Sequence, residues 1–338
     1  MNNKNKTIHI LSGFTIIMLT FIQIINPENH HIIYNFFSWI AWPAIFFIVG
    51  YMRNKNLKMR ESFVLSFKLY LLPYFIVGIL IIIFNKIIQI LNLEGWLHAP
   101  FPSMSAGLKA LLYGNGNPVT TVFGYFDTGI GLLWLLVALF TTSVLMSIVI
   151  KINSFRLMII LVIILAGSGS YLSTMIQLPW SLESAMTGLP FMLFGFYFKN
   201  IKNWYVGAAT FIASVLTNWT FSMSSGLDMA NANVPFWLLG ILVGWLSLIG
   251  LIIFVNYVIN LFPRLSIIFI KLGSYLNITL ASLAFVNSII PVGNYISRIL
   301  HNGIINLLIV LLITLAIVLI IKFIVIKVLS FQSERGVD

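Results

Sequence analysis

The chain contains no cysteine, which excludes disulfides, thiolate nucleophiles and cysteine-based metal centres and leaves the redox compartment unread. Charge is nearly as scarce: Asp, Glu, Lys and Arg make up 8% of 338 residues, where a soluble domain carries roughly 25%. Acidic residues are the rarest, 8 against 19 Lys and Arg. No glycine-rich phosphate loop, metalloprotease histidine pair or Ser-His-Asp order occurs, so the common soluble catalytic devices are missing. What is present is apolar: 60% of residues are hydrophobic, 14% are aromatic and mean hydropathy is +1.02. A water-soluble fold has no interior large enough to hide that much apolar side chain. The composition therefore predicts an all-α, polytopic integral membrane helical bundle, a single transmembrane domain over residues 1–338.

A membrane span needs about 20 largely apolar residues. Ten stretches answer to this, near residues 8–26, 32–52, 64–86, 129–150, 156–176, 183–199, 204–222, 235–259, 273–291 and 303–328, the short sixth and seventh only narrowly. Pro43 and Pro73 interrupt the second and third, an interruption that neighbouring helices can accommodate. The first stretch follows Lys4 and Lys6 as a signal peptide would, but leads into Asn26-Pro27-Glu28-Asn29 rather than small residues spaced for cleavage. It reads as a retained span. With the amino terminus inside, only Lys86, Lys109 and Arg298 of the 19 basic residues fall on the outer side. This places both termini in the cytoplasm, because one missed or extra span would invert every later loop. The same rule accounts for the isoelectric point of about 9.8 without nucleic acid as a partner.

Two outer loops are longer than the rest, residues 87–128 and 223–234. The first contains a turn at Gly114-Asn115-Gly116-Asn117-Pro118 and a stretch, Met104 to Tyr113, that suits a short interfacial helix. No internal repeat is visible. Ionisable residues at the spans are few, and each is a functional candidate by default. Lys68, about one turn inside the third span, either snorkels to the inner headgroups or meets an anionic ligand or coenzyme. Lys271 and Lys322 are expected to snorkel. Asp127 and Glu183 open spans on the outer side, where a carboxylate caps a helix or serves as a base toward a sugar hydroxyl. His30 and His31 form a pair between the first two spans, a polar turn or a base; no third ligand stands near enough in sequence for a metal. His9, His98 and His301 are isolated. Trp39, Trp42, Trp134, Trp180, Trp204 and Trp219 suit interfacial anchors.

Several segments resemble the bacterial acyltransferase type 3 family, in particular its fucose 4-O-acetylase-like, intercellular-adhesion branch. Trp42-Pro43-Ala44-Ile45-Phe46-Phe47-Ile48-Val49-Gly50-Tyr51-Met52 is similar to that family's aromatic, glycine-ended second span and precedes a basic inner loop. Ser66-Phe67-Lys68-Leu69-Tyr70-Leu71-Leu72-Pro73-Tyr74 resembles its basic, Pro-Tyr third span, and Leu133-Trp134-Leu135-Leu136-Val137-Ala138-Leu139-Phe140 its fourth. Leu178-Pro179-Trp180-Ser181-Leu182-Glu183-Ser184-Ala185, continuing to Leu189-Pro190-Phe191-Met192-Leu193-Phe194-Gly195-Phe196, is the nearest likeness, and Leu272-Gly273-Ser274-Tyr275-Leu276 resembles the start of a late span.

The resemblance implies transfer of an acyl group from acyl-coenzyme A, a donor substrate rather than a resident cofactor, to a hydroxyl of a cell-surface polysaccharide or lipid-linked sugar. It implies a bacterial cytoplasmic membrane, with membrane lipid as the surroundings. Where the family carries a basic residue and, eleven residues on, a histidine base, this chain has Ser12 and Gln23; a histidine often found in the late span is replaced within Leu283-Ala284-Phe285-Val286-Asn287. The candidate catalytic residues are accordingly Gln23, at the family's position, and His30, His31 and Glu183 as substitutes. Ser12, Arg53 and Lys68 are the candidates for binding the coenzyme, and no metal is expected. The alternative is a family-shaped scaffold or transporter that handles a polysaccharide or lipid-linked sugar without transferring a group.

Overall fold

The computed structural model describes residues 3–25, 27–28, 30–54, 57–198, 204–293 and 303–335. Arg298 and His301 lie outside them. The elements in order are α1 (Asn3–Ile24), α2 (His31–Met52), α3 (Met59–Ser66), α4 (Leu72–Ile90), α5 (Met104–Tyr113), β1 (Val119–Thr121), β2 (Gly124–Phe126), α6 (Trp134–Val149), α7 (Phe155–Leu172), α8 (Leu182–Tyr197), α9 (Trp204–Ser222), α10 (Leu238–Leu261), α11 (Leu265–Gly273), α12 (Leu276–Ile289) and α13 (Gly303–Arg335). The small antiparallel hairpin β1–β2 is the one sheet among the described residues.

Seven helices among the described residues are long and apolar enough to cross a membrane, or eight if α11 and α12, bent by 82° at their junction, count as one broken span. The protein is thus an all-α bundle of multi-pass membrane type. The two shortest stretches in sequence correspond to α8, of 16 residues, and α9, of 19. Neither meets that test of length and apolarity.

Helices α3 and α4 form one continuous 32-residue rod, Met59–Ile90. Pro73 lacks an N–H, and its ring crowds the carbonyl a turn earlier. The backbone answers with a π turn at Phe67–Leu71, closed by the Leu72 N–H reaching the Phe67 carbonyl. The start of α3 is held by the Glu61 carboxylate, which accepts the Lys58 N–H at 3.1 Å.

In a membrane, helices gain little from hiding apolar surface and must associate by close packing, which small residues permit. Two helix pairs show this. A Cβ on Gly50 would collide with the Met192 carbonyl, and one on Gly195 with the Phe47 carbonyl, so α2 and α8 meet backbone to backbone. Likewise Gly13 of α1 lies on Phe269 of α11, while Gly273 lies on the His9 carbonyl. Phe14 and Phe269 stack beside that contact at 3.9 Å. Around these seams one hydrophobic core runs from α1 through α13, with Trp39, Phe46, Phe47 and Phe191 among its largest fully buried side chains.

The tryptophans depart from the anchor pattern. Trp39, Trp42 and Trp134 are buried inside the bundle. The Trp39 Nε1–H donates to the Ser225 carbonyl at 2.9 Å, while Trp42 and Trp134 pack against each other at 5.5 Å. Indoles inside a helical bundle fill volume that aliphatic side chains would leave open. Trp180 and Trp219 remain exposed.

Candidate functional site

One end of the bundle gathers polar residues from three separate stretches: the end of α5 with its following turn, the entry to α8, and the loop before α10. Helix α5 occupies the expected Met104–Tyr113, capped by the Ser103 hydroxyl accepting the Ala106 N–H at 3.2 Å. Gly114 ends it at φ +83°, a conformation glycine adopts without cost. The next turn is tied to the entry of α6 by Ile130 N–H to the Asn115 carbonyl, 2.9 Å, and Gly131 N–H to the Gly116 carbonyl, 3.0 Å. Gly116 lies flat on the Trp134 indole, where a side chain would not fit.

The entry to α8 is strained. Trp180 and Ser181 hold φ of +65° and +47°, and a non-glycine residue there stores free energy that the surroundings must supply. The Ser181 hydroxyl donates to the Gly114 carbonyl at 2.5 Å, locking this turn to the end of α5. The turn also carries the Leu178 N–H back onto the carboxylate of Glu183. Glu183 accepts its own backbone N–H as well, so it secures the connection before α8 and caps the first turn of that helix. It is 2% exposed, the most enclosed carboxylate among the described residues.

A chain of hydrogen bonds continues from there. The Tyr113 hydroxyl donates to the Gln177 carbonyl at 2.5 Å. Gln177 Nε2 and Asn117 Nδ2 both donate to Asn231 Oδ1, at 3.1 and 3.2 Å, and Asn231 Nδ2 donates to Asp228 Oδ2 at 2.6 Å. Asp228 Oδ1 accepts the Ala230 and Asn231 N–H groups, folding its loop into a tight turn. Burial pushes the Tyr113 hydroxyl above the ordinary phenol value; the Val122 N–H and Thr121 oppose this, and the nearby Glu183 carboxylate adds to it. Tyr113 is thus a neutral donor throughout the physiological range.

Two buried groups in this region lack a partner among the described residues: the indole N–H of Trp42 and Oδ1 of Asn115. Trp42 packs on Trp134, whose indole carries Gly116, the neighbour of Asn115. A buried polar atom without a partner costs about 1–3 kcal/mol, and here one donor and one acceptor remain beside two indole rings.

The sequence candidates are not brought together. Gln23, His30 and His31 are all exposed. Ser12 is fully buried, its hydroxyl donating to the Ile8 carbonyl of its own helix at 2.8 Å, with its Cβ against Gly273. Lys68 is exposed on the π turn. Arg53 directly follows α2 and donates to the Ser143 carbonyl at 3.1 Å and to the Ser62 and Ser147 hydroxyls at 2.6 and 2.7 Å. Burial lowers its pKa below the ordinary guanidinium value, with Tyr70 opposing. Arg53 thereby clamps α2, α3 and α6, and most of its donors are already engaged. Only Glu183 of the seven belongs to the polar cluster described above.

Sequence reasoning missed the amides of Asn115, Asn117, Gln177 and Asn231. The turn containing Asn115 and Asn117 was visible as a turn; nothing in one sequence joins it to residues 114 positions later. Lys322 was also misread, as a snorkelling side chain. It is 4% exposed and bonded to the backbone at the α11–α12 junction, so its ammonium is held inside the bundle rather than extended to headgroups. Away from this cluster, a cavity of about 580 Å³ is lined by Gln89, Glu94, residues 97–102 and Pro291. Among the described residues no group of three or more His, Asp and Glu is arranged to hold a metal ion. No known protein family, curated protein or solved structure matches this chain.

Proposed function

We propose that this chain is a membrane O-acyltransferase of a bacterial cytoplasmic membrane, acting on a sugar hydroxyl of a cell-surface polysaccharide or lipid-linked glycan with acyl-coenzyme A as donor. The reading includes ten spans, with α8, α9 and the bent α11–α12 pair each crossing once and both termini cytoplasmic. The observation that carries it is the enclosed Glu183 carboxylate at the entry to α8, a turn that Ser181 ties to Gly114, next to the unpaired Oδ1 of Asn115. In this reading Glu183 takes the proton of the acceptor hydroxyl while the oxygen forms the new ester bond. The thioester carbon–sulfur bond breaks, and Glu183 returns the proton to the departing thiolate. Alignment of the two substrates and a matched base supply most of the acceleration.

The test uses purified protein, radiolabelled acetyl-coenzyme A and envelope glycans, comparing wild type with Glu183→Gln, His30→Ala and His31→Ala. Incorporation is expected to fall about 100-fold or more in Glu183→Gln, the usual effect of removing a general base, and to persist in both histidine variants. No incorporation by wild type, or full activity in Glu183→Gln, overturns the proposal. The scaffold or transporter reading is favoured by one observation: the pair at the family's catalytic positions, Ser12 and Gln23, has one member sealed inside the bundle and the other on its surface. Glycan flux into vesicles without acyl transfer would select it.

A further inference from the structure

The junction of α11 and α12 holds an arrangement that acyl transfer does not use. Helix α11 ends at Gly273, Ser274 is extended, Tyr275 turns with φ +51°, and α12 leaves at 82° to α11. Breaking a helix frees carbonyls that would otherwise accept bonds from the next turn. Three of them, from Lys271, Leu272 and Ser274, converge with the Ser274 hydroxyl on one point. The Nζ of Lys322 stands there, 2.6 Å from the Lys271 carbonyl, 3.0 Å from that of Leu272 and 3.4 Å from Ser274 Oγ, and in contact with the Ser274 carbonyl. Thr279 reinforces the cage, its hydroxyl lying 3.1 Å from the Leu272 carbonyl and 3.2 Å from that of Tyr275.

Three features separate this from an ordinary helix cap. The lysine arrives from α13, 48 to 51 residues away, rather than from the last turn of α11. The four oxygens come from the last turn of α11 and from Ser274 at the break, and they outnumber the three protons of an ammonium. The ammonium is enclosed, yet no carboxylate among the described residues pairs with it, so the carbonyl dipoles and the negative end of α11 alone balance its charge. Beside it, His9, whose carbonyl lies on Gly273, keeps a buried Nδ1 without a partner among the described residues. A cage of carbonyl and hydroxyl oxygens at a broken helix is the environment that binds a dehydrated alkali-metal ion.

We propose that the α11–α12 break is a monovalent-cation site, filled in this structure by the chain's own Lys322 ammonium, and that the same oxygens take a sodium or potassium ion when the ammonium is removed. The proposal is independent of acyl transfer, since no residue of the Glu183 cluster contributes to the cage. Its test is the melting temperature of purified full-length protein in sodium, potassium and N-methylglucamine chloride at equal ionic strength, for wild type, Lys322→Ala and Lys322→Ser. The serine variant leaves room for an ion and offers it one further oxygen. Wild type is expected to melt at the same temperature in all three salts. The variants are expected to be weakened in N-methylglucamine and to recover saturably, by several degrees, in sodium or potassium. Equal melting of both variants in every salt, or failure of both to fold in any salt, overturns the site. Neither result bears on incorporation by wild type or Glu183→Gln.

Discussion

Tyr113 shows how much one hydroxyl holds in place. It joins α5 to the Gln177 carbonyl and so to the amide chain that ends at Asp228. Tyr113→Phe leaves that carbonyl unpaired, and a loss of about 1–3 kcal/mol is expected in thermal or denaturant unfolding. The sign of the pH effect is fixed by the raised pKa. An unfolded tyrosine releases its proton near 10.0 while Tyr113 in the fold retains it, so the contribution is complete below pH 10 and declines as pH rises above it. The stability difference between wild type and Tyr113→Phe should therefore be flat up to about pH 9 and shrink at higher pH. A difference that grows in alkali would contradict the assignment.

At the scale of elements, glycine position decides which helices touch. Replacing Gly195 with Leu drives a side chain into the Phe47 carbonyl, and the cost is expected to reach or exceed the roughly 1–3 kcal/mol typical of overpacking. Gly95 has no atom near its absent Cβ, so Gly95→Leu is the matched control and should leave the melting temperature nearly unchanged. Elements of this kind were largely legible in sequence. Apolar runs marked the helices, Met104–Tyr113 stood out in its loop, and Pro73 marked the interruption of the third span, though as a π turn within one rod rather than a break. The start of α12 was legible, since the ninth apolar stretch begins near residue 273, but the helix α11 before it was not; it lies on α1 through Gly13 and Gly273, a tertiary contact. The same limit applied to the candidate site. Glu183 was found because a carboxylate in so apolar a chain is rare, whereas its amide partners are common residues joined only by the fold.

For the whole molecule, the absence of cysteine becomes an experimental asset, because any introduced thiol is the sole target of a labelling reagent. Single cysteines at Glu94 and Asp127, both exposed, are expected to react with an impermeant maleimide on intact cells. One at Lys58 is expected to react only after permeabilisation. Labelling of Lys58→Cys from outside would reverse the proposed orientation. The loop between α4 and α5 is itself stitched to a distant part of the chain: the His98 N–H donates to the Ile289 carbonyl at 2.9 Å and its Nδ1 to that of Ser288 at 3.1 Å, across 190 residues. At a synthesis rate of about 5–20 residues per second, this segment leaves the ribosome about 10 to 40 s before its docking surface exists. During biogenesis it can be tied to α4 through Asn85 and Gln89 but must wait to dock until α12 has been inserted, so the maturation of this face of the protein is timed by one of its last helices.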